Sequence, residues 1–231
     1  MSNALLPDEY FDDLLVRMAH HSTAIEGNTL TQGETKTMLI DGHIPRAMNM
    51  REFHEVMNYK SFMPFLKESL QKSATIDIPF IKETHRLLCT NAIGGRAGIF
   101  KIIPNMIIGD FDPTPPYMVQ SALHDWCLDL QAQLAAAKDE QDKLVAICRQ
   151  HIRFEHIHPF SDGNGRVGRV GRALVVYSCL LHHMPPAVIP VSSKQEYISY
   201  LNTDDTAGLL RYMQGLQTAE AERIQIFSQI Q

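Results

Sequence analysis

Apolar residues recur at helical spacing in the first part of the chain, where two helices are predicted. The first can be capped by Asp8 and is followed by Gly27, a residue type that commonly ends helices. Thr31 and Glu34 have the spacing of a capping box, which predicts a short second helix ending near Gly42. The apolar face of the first helix consists of Phe11, Leu14, Leu15 and Met18. This face predicts that the first helix packs on the rest of the chain.

The remainder of the chain is predicted to be helical, with one exception near its middle. Apolar spacing gives a third helix that Pro64 should kink or stop, and a fourth over about 79–91. Residues 99–108 are rich in β-branched side chains around Pro104, which is typical of a hairpin. Further amphipathic helices are predicted around 119–134, 144–152, 165–181, 197 and 209–227. The predicted fold class is mostly α, a single domain with one inserted β-hairpin.

Length and composition fit a protein that has a sizeable hydrophobic core and whose net charge does not attract nucleic acid or anionic membranes. The chain has 231 residues, 45% of them hydrophobic, and a formal net charge of −5, which creates no field that would gather nucleic acid or an anionic membrane. No apolar run approaches the roughly 20 residues of a membrane helix, and the N-terminus lacks a signal pattern. The cysteines, Cys89, Cys127, Cys148 and Cys179, form no Cys-x-x-Cys pair, so buried free thiols are expected. We therefore expect a cytoplasmic protein with no membrane or nucleic-acid partner.

A segment near the last third of the chain, His-Pro-Phe-Ser-Asp-Gly-Asn-Gly-Arg-Val-Gly-Arg over 158–169, has the pattern of an anion site. A Gly-Asn-Gly loop just before a predicted helix presents backbone N–H groups beside the positive end of the helix dipole. The loop residues are Gly163, Asn164 and Gly165. Arg166 and Arg169 lie on one helix face, where each can hold phosphate oxygens through paired hydrogen bonds. The segment therefore predicts a polyphosphate site.

Two residues beside this loop add reactive groups. Asp162 is a hard oxygen ligand, and Mg²⁺ bound to phosphates typically uses only one or two protein carboxylates. His158 precedes the loop, where a neutral imidazole can take the proton from a hydroxyl that attacks the α-phosphorus. Each part alone is commonplace, since a Gly-Asn-Gly is usually a turn and an arginine pair is usually a solvated face. Their combination predicts nucleotidyl transfer.

The same segment resembles the motif of the Fic family, His-Pro-Phe-x-Asp-Gly-Asn-Gly-Arg-x-x-Arg, at every fixed position. The resemblance implies an α-helical Fic-type domain that transfers AMP from ATP to a Ser, Thr or Tyr hydroxyl of a target protein and releases pyrophosphate. It implies His158 as the general base, Asp162 as the Mg²⁺ ligand and the glycine loop as the anion hole. It also places Arg166 and Arg169 on the β- and γ-phosphates. The related Doc-type kinases carry lysine at the position of Gly165, which argues against phosphorylation.

Two further regions are assigned by the resemblance. The insertion over 96–108 is similar to the family's flap, which holds the target segment beside the active site by strand addition. Tyr197, Tyr200 and Asn202 are similar to the region that lines the adenine pocket, with core tyrosines on an amphipathic helix as an equally weighted alternative. Because the family often self-associates, a homodimer is a further expectation.

Autoinhibition is the third implication of the resemblance. Ser-Thr-Ala-Ile-Glu-Gly over 22–27 is similar to the family's inhibitory pattern of Ser or Thr, three residues, Glu, then Gly or Asn. In an N-terminal inhibitory helix, Ser22 and Glu26 would be the functional residues. A carboxylate delivered to Arg169 would occupy the donors that a γ-phosphate needs. The ordinary alternative is that Ser22 and Glu26 merely end a surface helix.

These patterns leave three functions in competition. The first is AMP transfer, with residues 1–45 as an inhibitory region packed on a catalytic core over 46–231. The second is removal of AMP from a modified protein by the same site, with the glutamate positioning water. The third is a binding or regulatory module that keeps the fold without turnover. The presence of both His158 and Asp162 favours a catalytic protein over the third function.

Overall fold

Helices build most of the part of the chain that the structure describes. The structure is a computed structural model, which describes residues 6–105, 111–169 and 172–229, without the side chains of 168, 169 and 172. The α-helices are α1 (Asp8–Ile25), α2 (Gln32–Leu39), α3 (Met50–Gln71), α4 (Ile78–Cys89), α5 (Val119–Ala136), α6 (Glu140–Ile157), α7 (Arg172–Leu181), α8 (Lys194–Asn202) and α9 (Thr206–Gln229). Single 3₁₀ turns at Pro116–Met118 and Val191–Ser193 and a π-helical turn at Gly165–Arg169 complete the set. The mostly α prediction is confirmed.

The local signals at the first two helices act largely as predicted. The hydroxyl of Thr31 accepts a hydrogen bond from the Glu34 N–H (3.2 Å), and the Glu34 carboxylate accepts one from the Thr31 N–H (2.8 Å), so the capping box is confirmed. Gly27 follows the end of α1 with a φ of +101°, a conformation that favours glycine. Asp8 is the first residue of α1 and the cap position belongs to Pro7, so the predicted capping by Asp8 is wrong.

Helix α1 is anchored in the core by a buried ionic cluster. The Arg17 guanidinium donates to both carboxylate oxygens of Glu220 on α9, at 2.9 and 2.6 Å. The Tyr10 hydroxyl donates to the same carboxylate at 2.6 Å. A carboxylate is costly to bury unless its partners remain in place, so breaking any of these contacts would leave Glu220 uncompensated. The N-terminal helix is therefore tied to the far end of the chain.

Pro64 lies inside α3 and does not stop it. The helix continues to Gln71, although a proline removes one backbone hydrogen bond and crowds the preceding turn. Phe62 and Leu66 on either side of it are 1% and 0% exposed, so the burial of this face offsets the local cost.

The predicted hairpin over 99–108 is wrong for its described part. Residues 99–105 form no strand, and Phe100 makes an isolated antiparallel bridge with Phe160 of the motif segment. The Lys101 N–H donates to the Pro159 carbonyl (2.9 Å), and the Asn105 amide donates to the Phe160 carbonyl (2.7 Å). The backbone of this segment is thus partnered by a residue far along the chain. The last part of the predicted hairpin, 106–110, lies outside the described residues.

Helix α6 lies between the two hydrophobic clusters of the described core. Its residues Phe154 and Ile157 belong to the cluster that contains the buried faces of α1, α3 and α4. Its residues Ile147 and Cys148 belong to the cluster formed with α7, α8 and α9. Because both sides of α6 are packed, the residue that follows its last turn is held rigidly.

All four cysteines are free and buried, as predicted. None of the described helices combines the length and the hydrophobicity that a membrane span requires.

Candidate active site

His158 stands at the end of α6 in a left-handed backbone conformation, with φ 47° and ψ 62°. This conformation is uncommon for residues other than glycine, asparagine and aspartate, and such residues concentrate at functional sites. Its N–H closes the last turn of α6 on the Phe154 carbonyl at 3.1 Å, and the side chain is nearly buried. The turn redirects the chain into the motif loop and leaves the imidazole fixed at the start of that loop.

The side chain of Asn164 braces the loop from within. Its carbonyl oxygen accepts from the Phe160 N–H at 2.7 Å, and its amide donates to the Phe160 carbonyl. The side chain is therefore committed to the loop, and the predicted contribution of Asn164 to an anion hole would come from its backbone N–H. The first N–H groups of a helix have no partner within the helix, and those of Asn164 and Gly165 occupy that position here.

Only glycine fits at position 163. Gly163 has a φ of +75°, and a Cβ atom there would lie 2.4 Å from the Cys89 sulfur and 3.1 Å from His85 Nε2. Both neighbours are on α4 and fully buried, so neither can retreat at little cost. Burial also raises the pKa of the Cys89 thiol to about 12, which keeps it protonated and unreactive. The loop is thus pressed closely onto α4.

His85 holds the motif loop and the 96–105 segment together, a role that sequence reasoning missed. The Gly98 N–H donates to Nδ1 (2.7 Å), which leaves the proton on Nε2 to donate to the Asp162 carbonyl (2.9 Å). The ring stacks on Phe160 with 3.7 Å between centroids. Burial lowers the pKa of His85 to about 4, so the neutral ring required by these bonds is maintained. Its position on the buried face of amphipathic α4 was the available signal.

Arg166 is a fully buried cation surrounded by carboxylates. Its side chain has 0% exposure, and its nitrogens lie 3.2 Å from Glu26, 3.6 Å from Asp162 and 4.0 Å from Glu55. None of its three side-chain nitrogens has an aligned hydrogen bond within the described part of the chain. The contacts are therefore electrostatic, and the donors retain hydrogen-bonding capacity for an oxyanion. The predicted contact of Glu26 with Arg169 lies outside the described side chains.

The segment predicted to be inhibitory is largely buried at the two positions that the resemblance singles out, Ser22 and Glu26. Ser22 has 0% exposure, and its hydroxyl is hydrogen-bonded to the hydroxyl of Tyr59 on α3. Glu26 directly follows α1, and its side chain is 13% exposed beside Arg166. The end of α1 is therefore not an ordinary surface helix end, since it lies against the motif. The structure brings Glu26 close to Arg166 and the adjoining Asp162, both of which are distant from Glu26 in sequence.

Asp162 fits the role of an anchor for a phosphate-bound Mg²⁺. One carboxylate oxygen accepts from the Gly163 N–H (2.6 Å), and the side chain is 49% exposed, so lone pairs remain accessible. No group of three or more metal-ligating residues occurs among the described residues. A single accessible carboxylate nevertheless suffices when phosphates and waters supply the other ligands. The residues present therefore fit Mg²⁺ that arrives with a nucleotide.

The residues assigned to an adenine pocket lie in or next to α8. Tyr197 has 0% exposure and lies 2.7 Å, hydroxyl to Nε2, from His151, which fits the alternative of a core tyrosine. Tyr200 donates to Glu196 at 2.7 Å, and Asn202 ends the helix. A hydrogen bond from His156 on α6 to the Leu201 carbonyl (2.9 Å) links α8 to the helix turn that precedes His158. The adenine assignment of Tyr200 and Asn202 stays a prediction.

Comparisons with known proteins find Fic proteins that are similar to this chain. A model of the Fic/DOC family matches residues 75–175. The chain is 32% identical over 209 residues to protein adenylyltransferase fic-1 of Caenorhabditis briggsae, covering 88% of this chain and 40% of the relative. It is 28% identical over 187 residues to protein adenylyltransferase Fic of Nematostella vectensis, covering 79% and 42%. The chain thus spans about two fifths of the length of these curated relatives.

Solved structures share the fold. A Fic domain containing signaling protein from Bacteroides thetaiotaomicron superimposes with a TM-score of 0.80 at 20% identity, covering 97% of this chain and 92% of that one. Fic-1 of Caenorhabditis elegans, residues 134–508, superimposes with a TM-score of 0.78 at 28% identity, covering 95% and 64%. The matched segment contains α4, α6 and the motif loop, the elements that build the site. Residues 75–175 of the chain therefore form a domain of the Fic/DOC family.

Proposed function

We propose that this chain transfers AMP from ATP to a Ser, Thr or Tyr hydroxyl of a target protein and releases pyrophosphate. The observation that carries the proposal is the buried guanidinium of Arg166, whose donors lack aligned partners in the described structure, one helical turn after Asp162. His158 stands at the other end of the same short loop. The loop, which the side chains of Asn164 and His85 hold in place, therefore connects a proposed general base to a proposed anion site. Relatives named protein adenylyltransferase support the same reaction.

Each part of the loop has a defined task in this reaction. A neutral His158 takes the proton from the target hydroxyl as its oxygen bonds to the α-phosphorus and the bond to the β-phosphate oxygen breaks. The backbone N–H groups at the start of the π-helical turn, together with Arg166 and Arg169, hold the departing pyrophosphate. Asp162 would hold Mg²⁺ that arrives with the nucleotide, and the metal ion would neutralise phosphate charge. The side chains of His85 and Asn164 keep the loop in place.

The target segment is proposed to bind along residues 96–108. Within its described part, Lys101 is buried whereas Ile102 and Ile103 are 82% and 60% exposed. The backbone at Phe100 and Lys101 is already paired with the motif segment, which would place an added strand next to His158. Recognition of this kind relies on main-chain hydrogen bonds and leaves target identity weakly encoded.

Glu26 is proposed to inhibit the reaction. Its carboxylate lies 3.2 Å from Arg166 Nε, in the place where a phosphate oxygen would approach that guanidinium. A bound γ- or β-phosphate would therefore have to displace Glu26 and would meet like-charge repulsion until it did. The same position supports a second candidate function, removal of AMP, because a carboxylate held inside the site can orient a water molecule toward a phosphodiester.

The experiment that tests the reaction type uses the Glu26→Gly variant and ATP labelled at either the α- or the γ-phosphate. Incubation with cell lysate should transfer label to protein from the α position only, and Glu26→Gly combined with His158→Ala should transfer none. Label from the γ position would show a kinase. No label from either position would disprove AMP transfer. Release of AMP from the labelled product by the wild-type chain would establish the reverse reaction.

A further inference from the structure

Arg51, in the first turn of α3, directs a guanidinium toward the motif loop. Its Nε donates to Glu55 at 2.8 Å, and its Nη2 lies 3.7 Å from Asp162. Its side chain is 57% exposed. An exposed arginine that pairs with a glutamate four residues later is usually a solvated surface pair of little consequence. The proximity of Asp162, which belongs to the motif and not to α3, distinguishes Arg51 from such a pair.

Arg51 and Arg166 flank the carboxylate of Asp162 from two sides. Arg166 lies 3.6 Å from one oxygen and Arg51 lies 3.7 Å from the other. Both distances exceed those of hydrogen bonds, so neither guanidinium occupies the lone pairs of Asp162. Arg166 is fully buried, whereas Arg51 is open to solvent beside it. An anion that reaches Asp162 from solvent would therefore meet the guanidinium of Arg51.

Glu55 determines where Arg51 points. One of its carboxylate oxygens accepts from Arg51 and lies 4.0 Å from Arg166, and the other accepts from the Asn28 amide at 3.2 Å. The carboxylate is almost fully buried and so has a single position. This hydrogen bond raises the pKa of Arg51 above its ordinary value, so the group is always charged. A guanidinium held by its Nε keeps its Nη groups available for a second acceptor.

We infer that Arg51 is a further phosphate-binding residue, a cation outside the family motif that contacts the polyphosphate tail of Mg²⁺-bound ATP beside Asp162. The inference rests on the proposed function for the identity of the ligand, and it extends the phosphate site from the motif loop and its π-helical turn to α3. Its contacts with phosphate oxygens would be charge-assisted and partly exposed to solvent, so they would weaken as ionic strength rises. AMP lacks the tail and would not depend on Arg51.

Calorimetric titration with Mg²⁺-ATP, inorganic triphosphate and AMP tests this inference in the Glu26→Gly background. Arg51→Ala should weaken binding of ATP and of triphosphate about fivefold to twentyfold, and binding of AMP less than about twofold. Arg51→Lys should lie between, because an ammonium keeps the charge but not the paired geometry. Lys72→Ala is the matched control: it removes one positive charge from an i, i+4 pair with Glu68, roughly 30 Å away along the same helix.

The outcomes separate this inference from the proposed function. Equal losses for ATP and AMP in Arg51→Ala, no loss for either, or an equal effect of Lys72→Ala would overturn the role of Arg51. Failure of the parent variant to bind ATP or triphosphate would overturn it as well. If Arg51→Ala weakens binding of ATP and triphosphate but not of AMP, and the parent variant transfers no AMP to protein, the role of Arg51 is supported and the proposed reaction is disproved. Thermal unfolding of each variant shows whether the fold is kept.

Discussion

Replacement of Glu26 by glycine should raise the rate of AMP transfer. The change removes a carboxylate that lies 3.2 Å from Arg166 Nε in a buried setting. A charge-assisted hydrogen bond is worth about 1.5–3 kcal/mol, and the contact here is not aligned as one, so the lower value applies. Since each 1.4 kcal/mol is tenfold, AMP transfer should rise by about tenfold, with about a hundredfold as the upper bound.

The surroundings of Arg166 explain why the fold should tolerate this change. Glu55 and Asp162 remain within 4.0 and 3.6 Å, so the buried guanidinium keeps two carboxylates after Glu26 is gone. Glu26→Gln should give a smaller gain in transfer, because the amide keeps the bulk and one acceptor but loses the charge. Arg166→Ala should be inactive with or without Glu26, because it removes the guanidinium for which Glu26 and the nucleotide phosphates are proposed to compete.

The assay is the initial rate of self-modification with α-labelled ATP, measured for the wild type, the three single variants and the Glu26→Gly, Arg166→Ala double variant. Thermal unfolding of each protein checks that a faster rate does not come from a loosened fold. An unchanged rate in Glu26→Gly would refute the inhibitory contact. A double variant as active as Glu26→Gly would refute the role of Arg166 in holding the phosphates.

Three further predictions concern the loop. His158→Ala should abolish transfer while ATP affinity, measured by titration, stays within about tenfold, because the imidazole acts on the hydroxyl and not on the phosphates. In urea unfolding, Gly163→Ala should cost at least about 1 kcal/mol more than Gly42→Ala, which has a similar φ of +72° but no atom within 4 Å of the added Cβ; equal costs would mean that Cys89 does not crowd the loop. The free energy of unfolding should fall by roughly 1.4 kcal/mol per pH unit as the pH drops from about 6.5 toward about 4. In this range His85 takes up a proton in the unfolded chain but not in the folded protein, where burial lowers its pKa to about 4. The same pH dependence of stability in the His85→Gln variant would contradict this.

Elements whose causes are local could be predicted from the order of the residues alone. The capping box at Thr31 and Glu34 and the glycine that follows α1 depend on residues within a few positions of each other, and both are present. The helical periods of α5, α6 and α9 were visible because a packed helix needs apolar residues on one face. The loop over 158–169 was identifiable for a related reason, since the residues predicted to act as base, metal ligand and anion donors follow one another along the chain.

The contacts by which distant segments complete the candidate site could not be predicted from the sequence. Residues 99–105 have the composition of a strand, yet backbone pairing with Pro159 and Phe160 took the place of a local hairpin in the described part. His85 and Arg51 carried no motif, because the motif residue that each of them approaches, Asp162, lies more than seventy positions away along the chain. Glu26 was identified by pattern, but its neighbour Arg166 depends on how α1 packs against α3 and the loop. Long-range packing sets these contacts, and local propensity cannot encode it.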